Sequence, residues 1–262
     1  MDKQPSVFEQ TWRRAPAMSI IIGINLVVFL LWWLSPRSPA LEEFMVYNFL
    51  VSTEHLKEGY WWTLVTSAFS HMEIWHLAIN MFVLWSFGIV LEQLWGARTF
   101  AWFYLIAGTV GSVCHCLASA YLMQESGIPA LGASGAVSGL LLAYALYFPK
   151  AKILLFGIIP LPALAGVLAF VGFDIWGLIE QTKGGGYSIG HGAHLGGALA
   201  GALLWFFYLR KRYVPRKVPN LSRAEAAEFE RIIDKAKREG PDSLSFDERQ
   251  FVADMQNRLE QR

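Results

Sequence analysis

Ser134 stands in the stretch Leu-Gly-Ala-Ser-Gly-Ala-Val-Ser-Gly at 131–139, among small residues and at the head of an apolar run, 136–148. Two other stretches answer it. His194 opens a second apolar run, and His76 and Asn80 lie four apart on a third. Polar, reactive groups at the entrances of membrane helices are costly unless they serve a function. A serine hydroxyl is a weak nucleophile until a base takes its proton, and imidazole suits that task. The tetrahedral intermediate then needs donors aimed at its oxyanion. His76, the Asn80 amide and the Ser134 backbone N–H at a helix start could supply them. The expectation is one serine-hydrolase site inside a bilayer, gathered from Ser134, His194, His76 and Asn80.

Each residue also has a plainer reading. Ser134 could be a small hydroxyl bonded to its own helix within a glycine packing motif, and either histidine could make an interhelical hydrogen bond. It is the joint pattern that favours chemistry. Glu73 and Asp174 are the acids nearest to completing a triad; both read as interfacial, so the base is expected to work in a dyad. The motif is not the Gly-x-Ser-x-Gly elbow of soluble hydrolases, because Ala136 takes its last position. Metal chemistry would have to gather His71, His76, His191 and His194. His71 and His76 are five apart and not on one helical face, and no His-Glu-x-x-His occurs, so no metal site is expected.

The elements that must position these residues are membrane helices. The 262-residue chain is 54% hydrophobic and only 16% charged, where soluble domains carry roughly a quarter charged residues. The deficit lies in the first 210 residues, which marks a polytopic membrane protein rather than a large soluble core. A net charge of +1 suggests no nucleic-acid partner. Cys114 and Cys116 are two apart in an apolar run, point away from each other on a helix, and read as packing residues.

Residues 1–17 form a polar N-terminal tail, and Ala15-Pro16-Ala17 precedes the first apolar run instead of following it as a signal-peptide cleavage site would. Six spans are expected, at 18–34, 74–91, 100–123, 134–148, 153–179 and 191–209; Pro160 and Pro162 place the regular part of the fifth from about 162. The connection 35–70 carries Phe44, Tyr47, Phe49, Leu50, Trp61 and Trp62, and so is expected to lie in the membrane interface. The loop 181–190, with three consecutive glycines, is expected to be flexible. After Pro219, Ser222 with Glu225 reads as a capping box and Ser245 with Glu248 as the start of a second helix. Residues 213–262 are thus a charged helical hairpin, a solvated tail or a docking appendage for a cytoplasmic partner.

Orientation follows from the placement of Lys and Arg. Lys3, Arg13, Arg14, Arg98, Lys150, Lys152, Arg210, Lys211, Arg212, Arg216 and Lys217 fall on one side, against Arg37, Lys57 and Lys183 across longer loops on the other. Both termini are then cytoplasmic. The lack of a transit-type N-terminus and the compact layout point to a bacterial inner membrane.

With that topology, spans two, four and six enter from the non-cytoplasmic face and carry His76, Ser134 and His194 to a similar depth, with Asn80 one turn deeper than His76. The fourth span, 134–148, is roughly 22 Å long at 1.5 Å per residue, against a hydrocarbon core of about 30 Å. Its head would lie below the outer surface, in a depression that water enters. Gly135 and Gly139, with Gly197 and Gly201, have the spacing that lets two helices approach closely, which would bring Ser134 to His194.

These residues resemble the rhomboid intramembrane serine protease family. Gly132-Ala133-Ser134-Gly135 matches its Gly-x-Ser-Gly, and Ala193-His194 with Gly197 and Gly201 its Ala-His-x-x-Gly-x-x-x-Gly. His71, His76 and Asn80 fit its His-x4-His-x3-Asn, and Glu92 with Gly96 its turn between second and third helices. The likeness covers about residues 18–209, within a six-helix membrane domain expected at 18–212. It implies an all-α, six-helix membrane bundle with nucleophile Ser134, base His194, oxyanion donors His76 and Asn80, and no cofactor. It also implies transmembrane-protein substrates cut near their outer end at small residues, with lateral entry near span five and the loop 181–190. One departure matters: the family often has an aromatic residue four after the nucleophile, against which the histidine packs, and here that position is Ser138. What holds the His194 ring is left open, with His191 no better than a bystander. Two other classes compete. A rhomboid-like, non-catalytic protein that binds transmembrane clients would tend to lose Ser134 or His194, and a small-solute transporter would carry internal repeats and mid-membrane charges.

Overall fold

A computed structural model describes residues 7–155, 159–185, 189–214, 222–240 and 243–260. The chain divides into two units, Met1–Tyr213 and Val214–Arg262. The first is an all-α membrane bundle with one small hairpin of strands.

Part of the stretch expected as a polar tail is helical: α1 (Val7–Arg14) leads into α2 (Pro16–Leu34), which has Pro16 at its first position. Proline is tolerated there because the first N–H groups of a helix lack intrahelical acceptors anyway. Glu92 takes the next two, accepting from Ala17 N at 2.8 Å and Met18 N at 2.7 Å. The connection that follows is structured, with α3 (Pro39–Phe49), α4 (Thr53–Lys57) and α5 (Thr63–Thr66). Ser38 and Ser52 cap the first two of these, each accepting a backbone N–H three residues on. Trp61 and Trp62 stay exposed.

Next come α6 (Ile74–Trp95), α7 (Ala97–Leu117), a π turn at Ala118–Leu122, and α8 (Ser134–Tyr147). The fifth expected span begins differently from a helix. β1 (Lys152–Leu155) pairs antiparallel with β2 (Ile159–Pro162), and α9 (Ala163–Thr182) starts directly after Pro162. Pro160 and Pro162 have no N–H for a helical ladder, so regular helix starts only beyond them. Residues 156–158 and 186–188 lie outside the described residues, and so does part of the loop 181–190. The sixth element, α10 (His191–Leu204), continues through a π turn at Trp205–Leu209 into α11 (Arg210–Arg212). Lys3, Arg216 and Lys217 also lie outside the described residues.

Among the described residues, five helical stretches are long and apolar enough to cross a membrane: Pro16–Arg37, Ile74–Trp95, Ala97–Leu122, Ala163–Thr182 and His191–Arg212. The shorter apolar helix is α8, whose 14 residues span roughly 21 Å, less than the ~30 Å hydrocarbon core. These helices are apolar on both sides. On α6, Leu77, Met81 and Leu84 face the core while Trp75, Ile79 and Phe82 are exposed. That is the pattern of a helix whose outer face meets lipid rather than water.

The core sits where α7, α8 and α10 pack together. Backbones touch at glycines. A Cβ on Gly197 would overlap the Gly135 carbonyl, and one on Gly139 would lie 2.7 Å from the Gly197 oxygen. Cys114 and Cys116 are free, as packing residues should be.

The second unit holds α12 (Arg223–Glu239) and α13 (Phe246–Glu260). Both helices begin with the expected reciprocal caps, Ser222 with Glu225 and Ser245 with Glu248. Arg231 and Lys235 of α12 bind the Glu248 carboxylate at 2.9 and 2.8 Å. These contacts hold the Glu248 carboxyl down at about 2.

Candidate active site

Ser134 is the first residue of α8, and the turn before it sets its position. Gly132 has φ +125°, a conformation that residues with a side chain rarely adopt, and a Cβ there would meet His76 Cε1 at 2.7 Å. Glycine is thus required twice over. The Gly132 N–H donates to Ser67 O at 2.9 Å, and the Ala133 N–H to His71 Nε2 at 3.4 Å. His71 is fully buried, and its ring meets that of His76 edge-on with centroids 4.8 Å apart. Burial, and secondarily the nearby His76, pushes the His71 ring down to about 3, so it stays a neutral acceptor for the loop.

His194 lies one turn into α10 and is largely buried. Its Nε2 is 2.8 Å from Ser134 Oγ. The close approach of α8 to α10 at Gly135 and Gly197 makes this distance possible, since any Cβ there would separate the helices. His76 borders the same spot, packed against Gly132 beside Ser134. Asn80 sits one turn below, buried, and donates from Nδ2 to its own helix at His76 O, 2.9 Å. That bond uses one of the two amide N–H groups. Ser138 is turned away, bonded to Ser134 O at 2.8 Å.

Three residues outside the expected set complete the surroundings of His194. The Phe170 ring stacks on it, centroids 5.6 Å apart and planes 30° from parallel. Phe170 therefore occupies the place left open by Ser138, and it comes from α9 instead of from α8. Asp174, one turn further along α9, is not interfacial as its sequence position suggested: it is 1% exposed, and its Oδ1 lies 2.9 Å from His194 Nδ1. The physical reason is that α9 turns the Phe170–Asp174 face inward against α10, so the carboxylate reaches donors there. His191, read as a bystander, donates to the same oxygen at 2.7 Å. The hydrogen-bonded pair of Ser134 and His194 is thus extended by a carboxylate. Asp174 carried a signal in the sequence, being an acid within an otherwise apolar run; Phe170 carried none, since aromatic residues abound in these helices. Glu73 remains exposed at the start of α6.

Asp174, His191 and His194 also bring metal-ligand atoms within 4.8 Å of one another, which no other trio of described His, Cys, Asp or Glu residues does. Both imidazole Nδ1 atoms point at a single carboxylate oxygen at hydrogen-bond distance. A carboxylate oxygen accepts from an Nδ1–H, and at 2.7 and 2.9 Å both rings stand at the distance of such a bond. The arrangement is that of a hydrogen-bonded network. Chemically it presents a hydroxyl on a ring nitrogen, an oriented ring, and N–H donors at a helix N-terminus.

The rhomboid domain model matches residues 58–211. Among similar proteins, the mitochondrial rhomboid protein 1 of Saccharomyces cerevisiae is 36% identical over 191 residues, covering 73% of this chain and 52% of the relative. The mitochondrial RHOMBOID-like protein 12 of Arabidopsis thaliana is 33% identical over 201 residues, covering 71% and 57%. The mitochondrial presenilin-associated rhomboid-like protein of Homo sapiens is 31% identical over 188 residues, covering 71% and 46%. The chain thus spans about half the length of these relatives. Their names place those proteins in mitochondria, which runs against the expectation of a bacterial inner membrane.

Proposed function

The chain belongs to the rhomboid family, and from that premise we propose that it is an intramembrane serine endopeptidase that cleaves transmembrane segments of other proteins near their extracytoplasmic end. The observation that carries this reading is the 2.8 Å approach of His194 Nε2 to Ser134 Oγ at the head of α8. In the proposed reaction Ser134 Oγ attacks the scissile carbonyl while its proton passes to His194 Nε2. The oxyanion is held by His76, the free N–H of Asn80 and the Ser134 backbone N–H, one of the donors a helix start leaves unpaired. His194 then returns the proton to the leaving amine as the C–N bond breaks. Water entering above the short α8 hydrolyses the acyl-serine with the same ring as base. Both termini lie on the side richer in Lys and Arg, the cytoplasmic one by charge bias. The second unit serves as a partner-docking appendage or a solvated tail.

The test is cleavage of a model transmembrane substrate in proteoliposomes by wild type, Ser134→Ala and His194→Ala, with folding checked. Loss of cleavage in both variants supports the reading. Cleavage by Ser134→Ala removes Ser134 as nucleophile. Binding of substrate without cleavage by wild type favours a non-catalytic client-binding protein.

A further inference from the structure

We propose that Asp174, held in place by His191, is the positioning residue of this site. The proposal rests on the protease reading above and adds a third and a fourth group to it. One carboxylate oxygen, Asp174 Oδ1, accepts from two rings one turn apart on α10: His194 Nδ1 at 2.9 Å and His191 Nδ1 at 2.7 Å.

A carboxylate inside a membrane helix is costly unless it is paired. Asp174 is 1% exposed and lies in the middle of α9, with no other acid among its residues until Glu180 near its end. Its bond to His194 has a chemical consequence. It fixes the proton on Nδ1, leaving the Nε2 lone pair aimed at Ser134 Oγ. When Oγ bonds to the substrate carbonyl carbon, its proton moves to Nε2 and the ring becomes positively charged. The Asp174 carboxylate faces that charge and takes no proton itself. As the C–N bond breaks, the proton leaves Nε2 for the amine and the ring returns to its starting tautomer. Stacking by Phe170 fixes the plane of the ring, and Asp174 fixes its rotation within that plane.

His191 holds the carboxylate. Its Nε2 is buried without a hydrogen-bond partner and lies against Gly177, where a Cβ would overlap the ring. A proton on that nitrogen would find no acceptor, so the ring serves as an Nδ1–H donor. Phe173 closes over it edge-on, centroids 5.5 Å apart. Gly177 of α9 makes the room for this second ring, and Asp174 one turn earlier takes its proton donor. A single helix face, Phe170, Asp174 and Gly177, is shaped to both histidines.

The experiment is a steady-state series on the full chain in proteoliposomes: wild type, Asp174→Asn, His191→Asn and His191→Phe. A model transmembrane substrate gives kcat and KM, and a fluorophosphonate gives the labelling rate of Ser134. Thermal unfolding of each variant accompanies the kinetics. Asp174→Asn is expected to lower kcat by about 10²- to 10⁴-fold with KM changed less than about threefold. His191→Asn puts an amide N–H where the ring N–H was and should keep kcat within about threefold, whereas His191→Phe should lose about tenfold. A merely structural role would move unfolding temperature and KM without this split. Wild-type kcat in folded Asp174→Asn overturns the proposal. So do equal kcat values in the two His191 variants, which decide the matter if Asp174→Asn does not fold. A wild type that neither cleaves nor labels at Ser134 overturns the protease reading, and the positioning role with it.

Discussion

Phe170 lies over the His194 ring at 5.6 Å between centroids, yet the two residues come from different helices and belong to no common motif. Where the family often packs an aromatic from the nucleophile's own helix, this chain has Ser138, bonded back to Ser134 O. The ring is supported from α9 instead. This ties the orientation of the His194 ring to the seating of α9 against α10.

Phe170→Ala should therefore loosen the His194 ring. An aromatic pair of this kind contributes about 0.5–1.5 kcal/mol, so kcat is expected to fall up to about tenfold while KM changes little. Phe170→Leu should lose less, because it keeps apolar cover on the ring. Kinetics with a transmembrane substrate check this; an unchanged kcat in Phe170→Ala would remove the stacking role.

Gly197 is the tightest seam of the bundle, since an added Cβ overlaps the Gly135 carbonyl and no rotamer can relieve it. Gly197→Ala should part α8 from α10, destabilise by about 3 kcal/mol or more, and abolish cleavage by drawing Ser134 from His194. Gly23, also in an apolar helix, has nothing within 4 Å of its Cβ position. Gly23→Ala should leave activity intact and unfold at the same or a slightly higher temperature, because alanine is the better helix former by up to about 1 kcal/mol. Detergent unfolding and cleavage assays on the pair make the comparison.

Glu92 accepts from two N–H groups at the start of α2 with its two oxygens. Gln at this position keeps one acceptor and turns an N–H toward the other donor. Glu92→Gln should cost about 1–3 kcal/mol through the unpaired buried donor, read as a lower unfolding temperature with wild-type kcat in the surviving fold. Equal stability would mean that water or another acceptor replaces the carboxylate.

His71 gives the membrane unit a pH dependence of defined sign. Its folded value is about 3 against an ordinary 6.5, so between those values the unfolded chain binds the proton and the native one does not. Its contribution is complete above about pH 6.5 and is lost progressively as pH falls towards 3, at most about 1.4 kcal/mol per pH unit. His71→Gln retains an acceptor for the Ala133 N–H and should flatten this part of the profile. Unfolding temperatures measured from pH 8 to pH 4 on both proteins provide the check; parallel curves would assign the slope elsewhere.

Much of this was legible locally. The Ser222–Glu225 and Ser245–Glu248 caps are contacts between near neighbours, so composition and spacing suffice to read them. Pro160 and Pro162 marked where α9 begins for the same reason, although the hairpin before it was not visible. Asp174 was misread because a single acid in an apolar run has the same appearance whether its helix turns it to a headgroup or to a buried imidazole. His191 looked incidental because nothing in the sequence says which histidines share a carboxylate.

The sequence by itself determined that this is a membrane bundle, which helices could cross, and that Ser134, His194, His76 and Asn80 stand at helix entrances. Each of these follows from polar groups being costly in lipid and therefore conspicuous in apolar runs. Only the tertiary structure decided what surrounds the His194 ring. Phe170, Asp174 and Gly177 meet the histidines because α9 lies against α10 in one rotation about its axis, and that rotation is set by packing along the whole interface rather than by any residue's own preference.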